Sequence, residues 1–222
     1  MDSGLVLRGV AVLVLGYLVG GVPWALIIGK RFFAVDVREH GSGNLGATNV
    51  YRTLGVKAAI ATLLLDIAKG ALAVGLAWWV VPSARFGASA QDWVMIAATM
   101  AAILGHSYSP YIGFKGGKGV ATAAGALLVF TPYPWPFLLL SFILLIALFR
   151  VVSLASVLIA VEYPLLCIVF YPGQWTIIGF ACVAAGLVIW RHRANIARIW
   201  RREEPKVSWS GKGSATKTKG ES

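Results

Sequence analysis

Residues 120–149 read VATAAGALLVFTPYPWPFLLLSFILLIALF, and how this run divides decides how the whole chain is threaded. It is apolar almost throughout, yet longer than the roughly 20 residues that cross a bilayer once. Its centre, Thr131-Pro-Tyr-Pro-Trp-Pro136, places three prolines in five positions. Proline has no N–H to give a helix and its ring clashes with the preceding turn, so a helix breaks there. The run is therefore expected as two short helices, 120–130 and 137–149, forming a hairpin.

Working outward from it, simple spans are expected at 5–28, 58–81, 93–112, 151–171 and 175–190, which with the hairpin makes seven helices. The first run is too long for a signal sequence, and Lys30-Arg31 follows it instead of a small-residue cleavage site. Charge tests the count. Lys30, Arg31, Arg38, Arg52 and Lys57 lie in one connection, Lys115 and Lys118 in another, and Arg191, Arg193, Arg198, Arg201, Arg202 and Lys206 after the last helix. The connections 82–92, 131–136 and 172–174 hold no basic residue except Arg85. Basic loops face the cytoplasm. Seven helices put them all on that side, with the N-terminus outside and the C-terminus cytoplasmic. One helix over 120–149 would send the last basic stretch outside.

Composition agrees with an all-α integral membrane protein. Hydrophobic residues make up 58% of the chain, charged residues 13%, and the mean hydropathy is +0.76. Soluble domains carry about 25% charge. The remaining charge is lopsided, 20 Lys+Arg against 9 Asp+Glu, as contact with anionic lipid or a phosphorylated substrate requires. Cys167 and Cys182 lie in apolar runs and read as small hydrophobes, with neither a disulfide framework nor metal spacing. The expected organisation is one transmembrane domain over 1–204 and a disordered, Lys/Ser/Gly-rich cytoplasmic tail over 205–222.

Three polar segments fall on the expected cytoplasmic face. The first runs Asp36-Val-Arg-Glu-His-Gly-Ser-Gly-Asn-Leu-Gly-Ala-Thr-Asn-Val-Tyr-Arg52. Gly41, Gly43 and Gly46 match a dinucleotide fingerprint literally, but no strand precedes them. What remains is a loop whose backbone N–H groups can line an anion site, with Ser42, Asn44, Thr48 and Asn49 as side-chain donors and Arg52 as a fixed charge. A solvated Gly-rich loop is the plainer alternative. The second segment, Gly105-His-Ser-Tyr-Ser-Pro-Tyr-Ile-Gly-Phe-Lys-Gly-Gly-Lys-Gly-Val-Ala-Thr122, is not a Walker A loop, because Gly119 stands where the Ser or Thr should hold magnesium. Still, Lys115, Gly116, Gly117, Lys118 and Gly119 lead straight into a helix. Free N–H groups and the helix dipole there meet two lysines, a ready phosphate site. The third, Arg191-His-Arg-Ala-Asn-Ile-Ala-Arg198, puts His192 and Asn195 on one helical face, as it does Asn195 and Arg198. A basic membrane anchor explains its arginines but not the His/Asn pair.

Smaller features remain open. Asp66 and Lys69 lie inside a span at i, i+3 and must pair or face a polar cavity. Ser153 and Ser156 follow Arg150 and either contact substrate or bond to backbone. His106 is divided between core and site, and Glu162 beside Pro164 has no assignment.

Taken together, Gly41-Ser-Gly-Asn-Leu-Gly-Ala-Thr-Asn49 with Arg52, Phe114-Lys-Gly-Gly-Lys-Gly-Val-Ala-Thr122, and Arg191-His-Arg-x-Asn-Ile-x-Arg198 resemble the three motifs of the bacterial acyl-phosphate:glycerol-3-phosphate acyltransferases, the PlsY family. The resemblance covers about residues 5–204. One departure is Arg202, two residues before Glu204, where the family usually has Gly. The resemblance implies transfer of an acyl group from acyl phosphate to the sn-1 hydroxyl of glycerol 3-phosphate, giving lysophosphatidate and phosphate, the first step of phospholipid synthesis in the bacterial inner membrane. It implies Ser42, His192 and Asn195 as catalytic residues. The substrate-binding set is Ser42, Gly43, Asn44, Thr48, Asn49, Arg52, Lys115, Gly116, Gly117, Lys118, Gly119, Ser156, His192 and Asn195. No cofactor, metal or nucleic acid is expected, only the two substrates and membrane lipid.

The mixed anhydride is already activated, so positioning and charge stabilisation supply most of the rate. Either His192 or an oxygen of the donor phosphate takes the hydroxyl proton. The chain has no His-x-x-x-x-Asp, the mark of thioester-using glycerol-phosphate acyltransferases, since Leu45, Tyr111 and Ala197 stand five residues after His40, His106 and His192. Two rivals are weaker. A transporter of a phosphorylated solute explains the basic loops, but there is no internal repeat. A CDP-alcohol transferase needs an Asp-rich metal motif, and none of the 9 acidic residues forms one.

Overall fold

The computed structural model describes residues 3–207, which form helices and no β-strand beyond an isolated Ser109–Lys115 bridge. The first expected span is broken in two: α1 covers Ser3–Gly21 and α2 covers Trp24–Phe33. Pro23 lies at the break, and its missing N–H ends the helical ladder. A short amphipathic helix, α3 (Ala47–Leu54), follows the first glycine loop, and α4 (Val56–Val80) is the second long apolar helix. After a four-residue turn of helix, α5 (Ser83–Phe86), α6 runs over Ala88–Ser107. It lies about five residues N-terminal of the expected span, because Ser109 precedes Pro110 and the residue before a proline avoids the α conformation.

The run that opened the sequence analysis divides as expected, into α7 (Val120–Phe130) and α8 (Trp135–Phe149). The second begins two residues early, since Pro136 sits in the first turn, where its missing N–H costs nothing. The pair is not a mutually packed hairpin. α7 packs chiefly on α4, and α8 on α9 (Val152–Phe170). Glycine explains the first contact: a Cβ on Gly70 would overlap the Thr122 carbonyl, and one on Gly125 the Ile67 carbonyl. Such close backbone approach is how helices associate in lipid, where burial of apolar surface gives no drive. α8 and α9 are joined by Ser141, whose hydroxyl donates to Glu162 Oε1 at 2.9 Å. Glu162 thereby has a partner inside the apolar layer. The chain ends with α10 (Trp175–Arg191) and α11 (Arg193–Trp200), bent by 60° at His192.

Leu7, Trp79, Leu148 and Val169 are 72%, 74%, 74% and 69% exposed, an outer surface suited to lipid and not to water. Among the described residues four helical segments are long and apolar enough to cross a membrane, or five if α10 and α11 count as one. α7 and α8 fall short, with 11 and 15 residues. At about 1.5 Å per residue they cover roughly 16 and 22 Å of a hydrocarbon core of roughly 30 Å. They nonetheless leave from and return to the same end of the molecule. Lys118, just before α7, bonds Asn195, and the Arg150 carbonyl at the end of α8 accepts the Val207 N–H at 2.7 Å. That bond also corrects the tail boundary: residues 205–207, expected with the disordered tail, are tied down. The rest of that tail, 208–222, lies outside the described residues.

Candidate active site

All three polar segments meet at this one end. Lys118 Nζ donates to Asn195 Oδ1 at 2.5 Å, and Asn195 Nδ2 donates to Glu204 Oε1 at 2.6 Å. Ser153 Oγ donates to the same Oε1 at 2.8 Å, and Arg198 Nε to Glu204 Oε2 at 2.7 Å. Arg52, from α3, reaches the next residue, donating to the Pro205 carbonyl at 3.3 Å. A carboxylate thus sits where three cations, an amide and a hydroxyl converge. Donors arranged so around one anion are arranged to hold another.

The electrostatics follow from that crowding. Burial pulls the Lys118 ammonium down to about 8, against Glu204, which raises it, while Arg198, Arg52 and Arg191 push the same way as burial. Burial likewise lowers the Arg52 guanidinium. Burial alone would raise Glu204, but its hydrogen bonds from Asn195, Ser153 and Arg198 outweigh that and hold it below the usual carboxylate range.

His192 lies at the elbow between α10 and α11 and is only 2% exposed. Its Nδ1 is 2.8 Å from the Val188 carbonyl, which only accepts, so Nδ1 carries the proton and Nε2 keeps a free lone pair. Burial, then the Lys118 charge, depresses the ring to about 4, so it is neutral at physiological pH. Arg191 stacks on Tyr108 at 5.1 Å and donates to the Gly117 carbonyl at 2.6 Å, fixing the second glycine loop to the end of α10.

The glycine loops differ from expectation in what their residues do. Asn49 is 2% exposed and spends its amide on the first loop. Ser42 N and Oγ donate to its Oδ1 at 2.8 and 3.2 Å, and its Nδ2 donates to the Val37 and His40 carbonyls. Asn49 therefore shapes the loop and presents no donor outward. Gly41, at φ +61°, leaves no room for a Cβ against Asn49 Oδ1. Asn44 and Thr48 are half-buried and hydrogen-bond through their side chains to none of the described residues. Gly43 holds a left-handed turn, φ +66°, with the Arg38 carbonyl 2.9 Å from where a Cβ would stand.

In the second loop Gly119, φ +81°, turns the chain into α7. Gly116 and Gly117 lie against His106, and a Cβ on Gly117 would overlap its Nε2. These two glycines are needed for packing whatever the ligand does. Lys115 is exposed and takes no part in the hydrogen bonds of the Glu204 cluster. Of the two serines after Arg150, the one in the cluster is Ser153; Ser156 returns its hydroxyl to the Val152 carbonyl at 2.9 Å. Sequence reasoning left Glu204 without a role and preferred Ser156. Only the fold-back of 201–207 reveals both. Among the described residues no group of three or more His, Cys, Asp or Glu side chains is placed to hold a metal ion.

Comparison with known proteins gives a consistent result. Residues 10–202 match the family described as glycerol-3-phosphate acyltransferase. The chain is 42% identical over 200 residues to the glycerol-3-phosphate acyltransferase of Bacillus cytotoxicus, covering 90% of this chain and 96% of that one. It is 42% identical over 195 residues to that of Listeria monocytogenes, covering 88% and 94%. It also resembles the crystal structure of PlsY (YgiH), an integral membrane glycerol 3-phosphate acyltransferase, in its glycerol 3-phosphate form. There the TM-score is 0.80, the identity 34%, and the coverage 90% of this chain and 96% of that one. For the lysophosphatidic acid form the TM-score is 0.79, the identity 33%, and the coverage 90% and 95%.

Proposed function

The chain belongs to the glycerol-3-phosphate acyltransferase family, and on that premise we propose that it transfers an acyl group from acyl phosphate to the sn-1 hydroxyl of glycerol 3-phosphate. The observation that carries this reading is the bonding of Arg198, Asn195 and Ser153 to a single carboxylate, with Lys118 bonded to that Asn195 and Arg52 to the adjacent Pro205 carbonyl. The acceptor's phosphate takes the place of that anion, and Lys118 is its principal charge. Crystallised relatives in glycerol 3-phosphate and lysophosphatidic acid forms supply the two ends of the same reaction.

The acceptor hydroxyl attacks the acyl carbonyl carbon, the bond from that carbon to the phosphate oxygen breaks, and inorganic phosphate leaves. His192 presents Nε2 as a hydrogen-bond acceptor that orients the hydroxyl. Burial and the Lys118 charge depress the His192 ring to about 4, and its Nδ1 is committed to the Val188 carbonyl, which favours an oxygen of the donor phosphate as the proton acceptor. In this reading the proton ends on the departing phosphate, and His192 positions the hydroxyl.

The placement of the cluster also bears on topology. The polar segments before α7, after α8 and after α10 meet at one end, which supports a threading of seven spans with α7 and α8 as the short pair. By the charge of its loops that end is cytoplasmic, with the N-terminus outside and the enzyme in the bacterial inner membrane. Cysteines introduced at Gly173 and Ala194, both exposed, are expected to label from opposite sides of intact vesicles, and same-side labelling defeats the threading. The reaction is tested with purified protein, labelled glycerol 3-phosphate and either acyl phosphate or acyl-CoA. Lysophosphatidate from acyl phosphate alone is expected; comparable turnover with acyl-CoA refutes the donor, and uptake without acylation favours a transporter.

A further inference from the structure

Beneath the site, inside the apolar layer, lies a second cluster that the chemistry above does not use. Asp66, Lys69 and His106 are 2%, 5% and 7% exposed. Lys69 Nζ stands 2.9 Å from Asp66 Oδ1 and donates to the Val22 carbonyl at 2.9 Å, in the break between α1 and α2. His106 Nδ1 lies 3.7 Å from the same Asp66 oxygen. The other edge of the ring faces the second glycine loop. The His106 carbonyl accepts the Gly117 N–H at 3.1 Å, Nε2 lies where a Gly117 Cβ would be, and a Cβ on Gly116 would overlap the same carbonyl. The Leu45 carbonyl of the first loop stands 2.9 Å from that Gly117 Cβ position. Asp66, Lys69, His106, Leu45 and Gly116 share the lining of one cavity of only about 10 Å³.

Charges at such depth are costly, and they are kept where something depends on them. Here a three-helix knot, α1–α2 through Val22, α4 through Asp66 and Lys69, and α6 through His106, ends in one imidazole pressed on the backbone next to Lys118. Close packing leaves that ring nowhere to go, so any shift of it passes to the loop. We propose that Asp66, acting through His106, positions the Gly116-Gly117-Lys118 turn and so sets affinity for the acceptor phosphate, without either side chain touching substrate. These are positioning residues, and the inference rests on the assignment of Lys118 to that phosphate.

The test is a double-mutant cycle between Gly117→Ala and His106→Ala in the full-length enzyme, reading kcat, KM for glycerol 3-phosphate and KM for the donor. Each single change is expected to raise KM for glycerol 3-phosphate by about tenfold, with kcat and the donor KM within about threefold. The double variant is expected to be no worse than the poorer single one, because deleting the ring makes room for the new methyl; groups in contact couple in this way and distant ones do not. Asp66→Asn, which keeps the shape and removes the charge, is expected to raise the same KM by severalfold even if His106→Ala fails to fold. Effects that simply multiply in the double variant, an Asp66→Asn enzyme with wild-type KM, or a fall in thermal stability with unchanged KM each overturn the inference. An enzyme that does not use glycerol 3-phosphate at all breaks the functional assignment instead.

Discussion

The molecule holds two clusters of charge, built from similar ingredients but differently exposed. At the helix ends Lys118, Asn195, Arg198 and Glu204 are linked by short hydrogen bonds but remain partly open, and burial takes Lys118 down to about 8. Deeper, Asp66, Lys69 and His106 are closed off and tied to backbone at Val22 and Gly117. An open cluster can exchange its internal anion for a ligand's. A closed one can only hold its neighbours in place. Composition does not separate them; depth and the direction of the hydrogen bonds do.

The largest expected effect lies at the elbow beside the open cluster. His192→Ala is expected to lower kcat by roughly 10²-fold with a smaller change in KM, as for loss of a group that positions the reacting hydroxyl. His192→Gln, which still offers a polar atom to the hydroxyl but takes no proton, is expected to keep kcat within about tenfold of wild type. Equal losses in both variants would make His192 the base and remove the donor oxygen from that role. Next, Asn195→Ala cuts the link between Lys118 and Glu204. Hydrogen bonds to charged groups are worth about 1.5–3 kcal/mol, so kcat/KM for glycerol 3-phosphate is expected to fall by roughly ten- to a hundredfold. An unchanged value would detach that chain from the site.

The pH profile is a gentler probe. Lys118 has a lowered pKa, so it is charged below about 8 and loses its proton as pH rises through that value, before an ordinary lysine does. The limb of kcat/KM that reports the free enzyme is expected to fall above about pH 8, by up to about tenfold per unit. On the acidic side His192 stays neutral down to about 4, so a fall at about 6 belongs to the substrate phosphates and is expected to survive in His192→Gln. A flat profile to pH 10 contradicts the first statement, and an acidic limb that disappears in His192→Gln the second. The smallest effect belongs to Lys115, which is exposed and outside both clusters. Lys115→Ala is expected to change KM by about twofold at most, the scale of an exposed charge. A larger loss would extend the open cluster along the loop.

Much of this could be read from residues alone, and the failures share a cause. The prolines of 131–136 divide their run in the structure as they do in the sequence, because proline acts on its own backbone. The three motifs were visible because glycines and charges in an apolar chain stand out. Missed were the break at Pro23, inside the expected span 5–28, and the earlier end of α6 before Pro110. Ser153 and Ser156 lie one turn apart on α9, and local spacing gives no reason to choose between them; a strap arriving from residue 204 decides. Asn49 looked outward on paper because only the closed loop shows that its amide is used by Ser42, Val37 and His40. Likewise the pairing of Asp66 with His106 joins α4 to α6, across a separation that no periodicity encodes.

The central claim is that the acceptor's phosphate occupies the place now held by the Glu204 carboxylate, with Lys118 as its main charge. Equilibrium binding of glycerol 3-phosphate to purified enzyme and to Lys118→Ala tests it without catalysis. The account predicts a Kd weakened by about tenfold or more, at one charge-assisted bond lost, in a variant that stays folded. An unchanged Kd in the folded variant would contradict it.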